Sequence, residues 1–222
     1  MHTVQPLRIG AIVQHARLFN IQHWREQPAA MNDILQRVAE LFALLDERKV
    51  EPVLVGGIAM LQYVQGRNTE DIDLIVSVRA LRNVPEIQIT GQDANFARGS
   101  FYGLRINFLL AENPVFARVA ARYSATQRFL EQDIRTATVE GLVLLKLYAL
   151  PSLYHQGDFA RVGLYENDIA TLMYYHQPDI EQIERELALY VDESARVAIH
   201  DIVDDLRRRV ARFPARASNQ SE

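Results

Sequence analysis

Pro52-Val53-Leu54-Val55-Gly56-Gly57-Ile58-Ala59-Met60, followed after five residues by Gly66-Arg67-Asn68-Thr69-Glu70-Asp71-Ile72-Asp73-Leu74-Ile75-Val76, sets the architecture of this chain. The first stretch reads as a short buried strand, Pro52 to Val55, closed by a glycine pair and running into a helix from Ile58 to Gln65. The segment from Asp71 to Val78 alternates and is rich in Ile and Val, so it reads as a second strand. At the turn, the missing β-carbons of Gly56 and Gly57 let backbone N–H groups approach an anion, which the start of a helix favours. On the second strand Asp71 and Asp73, at i and i+2, share one face while Ile72 and Leu74 take the other. Two like charges on one face repel unless water surrounds them or a divalent cation bridges them, and a hard cation such as Mg²⁺ prefers carboxylate oxygens together with substrate phosphates. Taken singly, a glycine pair is a tight turn and an Asp-x-Asp a solvated loop. In succession they describe a turn that holds a triphosphate beside carboxylates that hold its metal. Arg67 is either a phosphate clamp or a surface arginine, and Thr69, like Asn68, reads as a turn former or cap.

Working outward, Ile34, Leu35, Val38, Leu41, Phe42 and Leu45 keep the spacing of an amphipathic helix over Met31 to Lys49. Glu86 to Thr90 and Phe101 to Ala111 read as further strands, the latter with Leu104, Ile106 and Phe108 alternating against Arg105 and Asn107. Gln127 to Ala137 reads as a strand or hairpin. Helical patterns then fill the chain at Thr138 to Ala149, Phe159 to His176, Pro178 to Tyr190 and Glu193 to Phe213. Strands followed by helices predict an α+β fold, with a mixed sheet of about four or five strands followed by a C-terminal helical bundle subdomain. The expected divisions are a poorly defined segment 1–28, an α/β core 29–137, a helical subdomain 138–213 and a loose tail 214–222.

Composition narrows the chemistry. The chain has 222 residues, of which 49% are hydrophobic, and no cysteine. A chain of this length buries roughly 70% of its unfolded surface and needs no covalent or metal staple. Disulfides, thiolate zinc sites, iron–sulfur clusters and thiol nucleophiles are excluded, so any metal site is built from carboxylate or imidazole. Apolar runs are too short to span a membrane and no signal-like block opens the chain, which predicts a cytoplasmic protein. The net charge of −4 is uneven, at +1 over residues 1–165, −9 over 166–205 and +4 over 206–222. That balance argues against tight non-specific duplex binding. The arginines at 207, 208, 209, 212 and 216 suit a last helical turn. Only two lysines occur, Lys49 and Lys146, against 22 arginines.

The pattern Gly-Gly-x-Ala, a helix, then Arg-x-Thr-x-Asp-Ile-Asp resembles the signature of the polymerase-β-like nucleotidyltransferase superfamily. Within it the chain looks most like the small bacterial nucleotidyltransferases of the abortive-infection (toxin–antitoxin) type. The resemblance is specific between Val53 and Val76, fainter from Leu104 to about Met173, and absent from the first 28 residues and the C-terminal helices. It implies a nucleotidyltransferase-type mixed sheet flanked by helices. It also implies two Mg²⁺ (or Mn²⁺) and a nucleoside triphosphate as substrate, with transfer of a nucleoside monophosphate to a hydroxyl on tRNA or protein. Gly56, Gly57, Arg67 and Thr69 would then contact nucleotide, and Asp71 and Asp73 would be metal ligands. The family's third carboxylate sits on a later strand. The matching segment is Leu104 to Leu110, with Asn107 in that place. An amide carbonyl can ligate a metal but brings no charge and cannot serve as a base. Glu112 and Asp93 are the carboxylates placed to substitute for it.

Lys146 lies among Leu142, Val143, Leu147 and Leu150, where an uncompensated ammonium is costly. It is either a snorkelling lysine or, as the resemblance implies, a triphosphate ligand assisted by Asp168. Asp168 reads equally as an ion-pair partner. Tyr154, Tyr165, Tyr174 and Tyr175 could line a base or acceptor pocket, although helical spacing favours packing; His155 and His176 have no partners at ligand spacing. The leading expectation is a Mg²⁺-dependent nucleotidyltransferase with Asp71, Asp73 and Asn107 at its centre. The alternative is a catalytically weakened relative that binds nucleotide or protein as a regulator. The acidic helices of 166–205 form a candidate surface for a protein partner.

Overall fold

The structure, a computed structural model, describes residues 28–64, 71–129 and 132–214. Arg67 and Thr69 lie outside the described residues. The chain divides into two compact units, one through Leu145 and one from Lys146 onward.

In the first unit, α1 (Pro28–Glu47) leads to β1 (Val53–Val55), which passes directly into the short α2 (Gly56–Met60). Then follow β2 (Ile72–Val76), α3 (Val78–Leu81), β3 (Gln88–Gln92), β4 (Phe96–Phe101), β5 (Leu104–Leu110), α4 (Pro114–Arg122), β6 (Ser124–Phe129) and β7 (Gln132–Ala137). Among the described residues the strands form one seven-stranded sheet in the order β3-β4-β5-β2-β1-β7-β6. The pairs β1/β7 and β2/β5 are parallel and the others antiparallel, so the sheet is mixed. Its core face carries Leu54, Ile72, Leu74, Ala97, Phe101, Ile106, Phe108 and Leu110, all buried. The amphipathic stripe of α1, Val38, Leu41, Phe42 and Leu45, is buried as its periodicity predicts.

The sheet is wider than the expected four or five strands. The span expected as one strand from Phe101 is interrupted at Tyr102 and Gly103, whose φ values of 44° and 83° make a two-residue hairpin turn. β4 therefore precedes β5 as a separate strand; its inward positions hold Ala97 and Gly99 as well as Phe101, too little apolar bulk to announce a strand. Gly99 has a backbone reason: an added Cβ would stand 3.0 Å from the carbonyl of Gln88 on β3. β6 and β7 form a hairpin, of which the sequence marked only the region. α4 is capped by Asn113, whose side chain accepts from the Val115 N–H at 2.9 Å, with Pro114 in the first turn.

α5 (Val139–Gln156) carries the division between the units. It extends beyond the expected end at Ala149 and through Pro151, because Leu147, Leu150 and Leu153 continue its buried stripe. The second unit continues with α6 (Phe159–His176), α7 (Ile180–Leu187) and α8 (Glu193–Val210). Their first turns are capped by Asp158, Asp179 and Asp192, each accepting a backbone N–H. No helix among the described residues is long and apolar enough to cross a membrane.

Candidate active site

Register gathers the site. Val55 pairs with Asp73, Asp73 with Asn107, and Asn107 with Arg98, so one row crosses β1, β2, β5 and β4. Cross-strand partners share a face, and burial shows which. On β5, Leu104, Ile106, Phe108 and Leu110 are buried while Arg105 is exposed and Asn107 half-buried. Asp73 is half-buried between Ile72 and Leu74, which are buried. The face opposite the core thus carries Asp73, Asn107, Arg98 and Arg105, with Asp71 at the entry to β2.

Gly56 has φ +65°, and a Cβ built there would stand 1.8 Å from Asp73 Oδ2. The residue is glycine for two independent reasons, a left-handed backbone and a carboxylate lying where a side chain would be. The Gly57 N–H donates a long hydrogen bond to the same oxygen at 3.4 Å. Asn107 Nδ2 donates to Asp73 Oδ1 at 3.0 Å, so Asn107 stands in the place expected for a third carboxylate and bonds Asp73 instead of repelling it. Arg105 Nε forms an ion pair with Asp71 Oδ1 at 2.9 Å. The glycine turn, Asp73 and Asn107 are therefore in contact, while Asp71 is bridged to β5 through Arg105.

Neither candidate substitute for the missing carboxylate joins this row. Glu112 accepts the Val78 N–H, at 3.0 Å and 3.3 Å to its two oxygens, and so secures the start of α3. Asp93 accepts the N–H groups of Asn95 and Phe96, both at 2.8 Å, and these bonds hold its carboxyl below the usual carboxylate range. Both are spent on turns.

As a metal site the donor set is short. Asp71 and Asp73 are hard oxygen donors, and the carbonyl of Asn107 can add a neutral one. Among the described residues no group of three His, Cys, Asp or Glu side chains gathers. Mg²⁺ usually keeps several waters and takes one or two carboxylates plus substrate phosphates. These residues fit one such cation, held jointly with a nucleotide.

In the helical unit, Lys146 and Asp168 are both buried and paired, Nζ to Oδ2 at 2.8 Å. The ammonium also stands 4.3 Å from the centroid of the Tyr165 ring. Of the two roles open to Asp168 in the sequence, the ion pair is present. Tyr154 donates to Glu166, which with burial pushes the phenol up to about 12, and Tyr174 packs against Tyr175 and Phe213. A hollow of about 330 Å³ in this unit, lined by Met173, Ile180, Glu181, Arg207 and Val210 among others, contains none of the expected site residues. Arg105 and Arg98 were not singled out by sequence. The signal for Arg105 was strand parity, since it shares the alternation of Asn107 on β5; Arg98 had none, because β4 was not announced as a strand.

No protein-family model and no curated protein matches the chain. Its likeness to solved structures gives it the α+β nucleotidyltransferase fold. The solution structure of the antibiotic-resistance factor ANT(2'')-Ia is 13% identical, with a TM-score of 0.52, over 82% of this chain and 99% of that one. The crystal structure of ANT(2'')-Ia in complex with adenylyl-2''-tobramycin is 12% identical, TM-score 0.51, over 76% and 98%. An antigenic nucleotidyltransferase-like protein from Paracoccidioides brasiliensis is 16% identical over 75% and 93%, with a TM-score of 0.46.

Proposed function

We propose that the chain is a nucleotidyltransferase that binds a nucleoside triphosphate with Mg²⁺ or Mn²⁺ at Asp71 and Asp73 and transfers the nucleoside monophosphate to a hydroxyl. The observation that carries this reading is the contact between the glycine turn and Asp73. A backbone suited to phosphates and a carboxylate suited to their cation meet at one point, and the Gly56 position tolerates no side chain there. A cation held by these carboxylates would neutralise charge on the phosphates. The chain's own part is positioning: Gly56 and Gly57 admit the phosphates, and Asn107 fixes the orientation of Asp73. Arg67 and Thr69 belong to the motif and complete the proposed nucleotide contacts. The resemblance to the toxin-type enzymes implies tRNA or protein as acceptor; ANT(2'')-Ia, solved with an adenylylated tobramycin, makes an aminoglycoside the small-molecule alternative.

A second reading rests on Asn107. With an amide in place of the third carboxylate, the chain would bind nucleotide as a regulator and transfer it slowly or not at all. The two separate in one experiment. The chain is incubated with each labelled nucleoside triphosphate, Mg²⁺ or Mn²⁺, and tRNA, protein extract or an aminoglycoside, beside an Asp71→Ala/Asp73→Ala control. Transfer lost in the control supports the enzyme. Nucleotide binding without transfer, converted to transfer by Asn107→Asp, supports the regulator. Absence of both binding and transfer refutes the two readings together.

A further inference from the structure

β5 presents Arg105 and Asn107 to the carboxylate face, and neither suits a site for two divalent cations. Two hard cations need several anionic oxygens between them. Asp71 and Asp73 supply theirs, but Asn107 supplies none, and Arg105 brings a fixed positive charge to 2.9 Å from Asp71. Arg98, exposed and in register with Asn107 on the same face, brings another. The charges of Asp71, Asp73, Arg98 and Arg105 cancel.

We infer that Arg105 stands in for one divalent cation: it is the resident counter-ion of Asp71, and the site takes a single divalent cation, with Arg105 passing to the nucleotide's phosphates when that cation binds. The inference rests on the nucleotide-binding reading above. Two features make the exchange cheap. Arg105 lies mostly in solvent, its side chain 64% accessible against 40% for Asp71, so the guanidinium can swing outward even though the Asp71 Oδ1 it faces is itself buried. A guanidinium matches a phosphate as well as it does a carboxylate, because its donors form a planar fork. Lysine would not serve equally, and this chain places arginine here.

The test uses Mn²⁺ as the probe, its binding followed by electron paramagnetic resonance on the full chain. Wild type is compared with Arg105→Gln, Asp71→Asn and the double variant. Without nucleotide, Arg105→Gln should bind Mn²⁺ about three- to tenfold more tightly than wild type, since removing the guanidinium frees Asp71 and relieves a like charge a few ångströms from the cation. In the Asp71→Asn background the gain should vanish. With a non-hydrolysable triphosphate analogue, wild type should bind one Mn²⁺ per chain. Arg105 is exposed, so unchanged melting curves establish that the variant folds. Equal Mn²⁺ affinity in wild type and Arg105→Gln, a gain that survives Asp71→Asn, two Mn²⁺ per wild-type chain, or no Mn²⁺ binding by any variant would each overturn the inference. Analogue binding, measured separately by fluorescence, tests the underlying reading. Its absence beside an intact Arg105→Gln gain refutes that reading while supporting Arg105 as the counter-ion.

Discussion

Gly56→Ala isolates the contact on which the site depends. Alanine there adopts φ +65°, and its Cβ begins 1.8 Å from Asp73 Oδ2, so the carboxylate must retreat by roughly 1.2 Å to reach even a 3.0 Å contact. A left-handed backbone costs an L-residue about 1–2 kcal/mol. Moving the carboxylate stretches the 3.0 Å bond from Asn107, and loss of a hydrogen bond to a charged group adds about 1.5–3 kcal/mol. The sum, about 2.5–5 kcal/mol, lowers the Tm of a chain this size by about 5–20 °C. Gly157 supplies the control, because its φ of +68° is nearly the same while an added Cβ meets nothing within 4 Å. Gly157→Ala should therefore lose only the backbone part. Denaturant titrations of the two variants, with a probe in each unit, give the collision energy as a difference. Equal losses from Gly56→Ala and Gly157→Ala would show that Asp73 yields freely, and the argument that the turn and carboxylate are mutually fixed would fail.

Lys146→Met or Asp168→Leu alone should destabilise the helical unit by about 3–5 kcal/mol, because each leaves a buried charge uncompensated, whereas the double variant should recover most of the loss; a double-mutant cycle by urea denaturation measures this, and additive losses would refute the pairing. The hydrogen bond to Glu184 and the charges of Asp204 and Glu184 raise the pKa of His200 above 6.5. The folded chain thus holds that proton more tightly than the unfolded one. Its stabilising contribution is complete below pH 6.5 and disappears as pH rises through the folded value, so His200→Gln should flatten this part of the stability–pH profile without changing stability at pH 9. Asn113→Ala removes the cap of α4 and the 2.9 Å bond from Asn113 to Asn95. It should cost about 1–2 kcal/mol in thermal denaturation, and an unchanged Tm would mean that α4 is held by Val115, Phe116 and Val119 alone.

Long periodic elements were legible in the sequence because one physical signal dominated each. α1 and α6 carry apolar stripes, and β2 combines β-branched residues with alternation. The elements missed are short or locally ambiguous. Tyr102-Gly103 lacks the Asn-Gly or Asp-Gly signature of a two-residue turn, so the expected strand ran through it from Phe101 and the rest of β4 was missed. The Asn113-Pro114 start of α4 was readable as a cap followed by proline, yet the helix is only nine residues long. Pro151 marked a stop that packing overrode. On β2 the shared face of Asp71 and Asp73 was legible because spacing fixes parity on a strand, whereas Gly56 was read from its glycine turn and Asn107 from the resemblance. Arg105 was not legible, because parity says which face a side chain takes but not which strand lies beside it.

That missing information is the register of β2 against β5, and the core supplies it. Ile72 lies against Ile106 and Leu74 against Phe108, all of them buried. A slip of one residue would turn Arg105 and Asn107, or Asp71 and Asp73, into that core, and an uncompensated charge there costs several kcal/mol. A slip of two would preserve the faces but would offset Ile106 and Phe108 from their partners and separate Asn107 from Asp73. The hydrophobic alternation that builds the sheet is therefore also what aligns Asp73 with Asn107 and Asp71 with Arg105. It follows that core substitutions preserving volume on β5, such as Ile106→Leu, should leave the site row intact, whereas shifting the strand by inserting one residue between Gly103 and Leu104 should abolish it before the fold itself is lost.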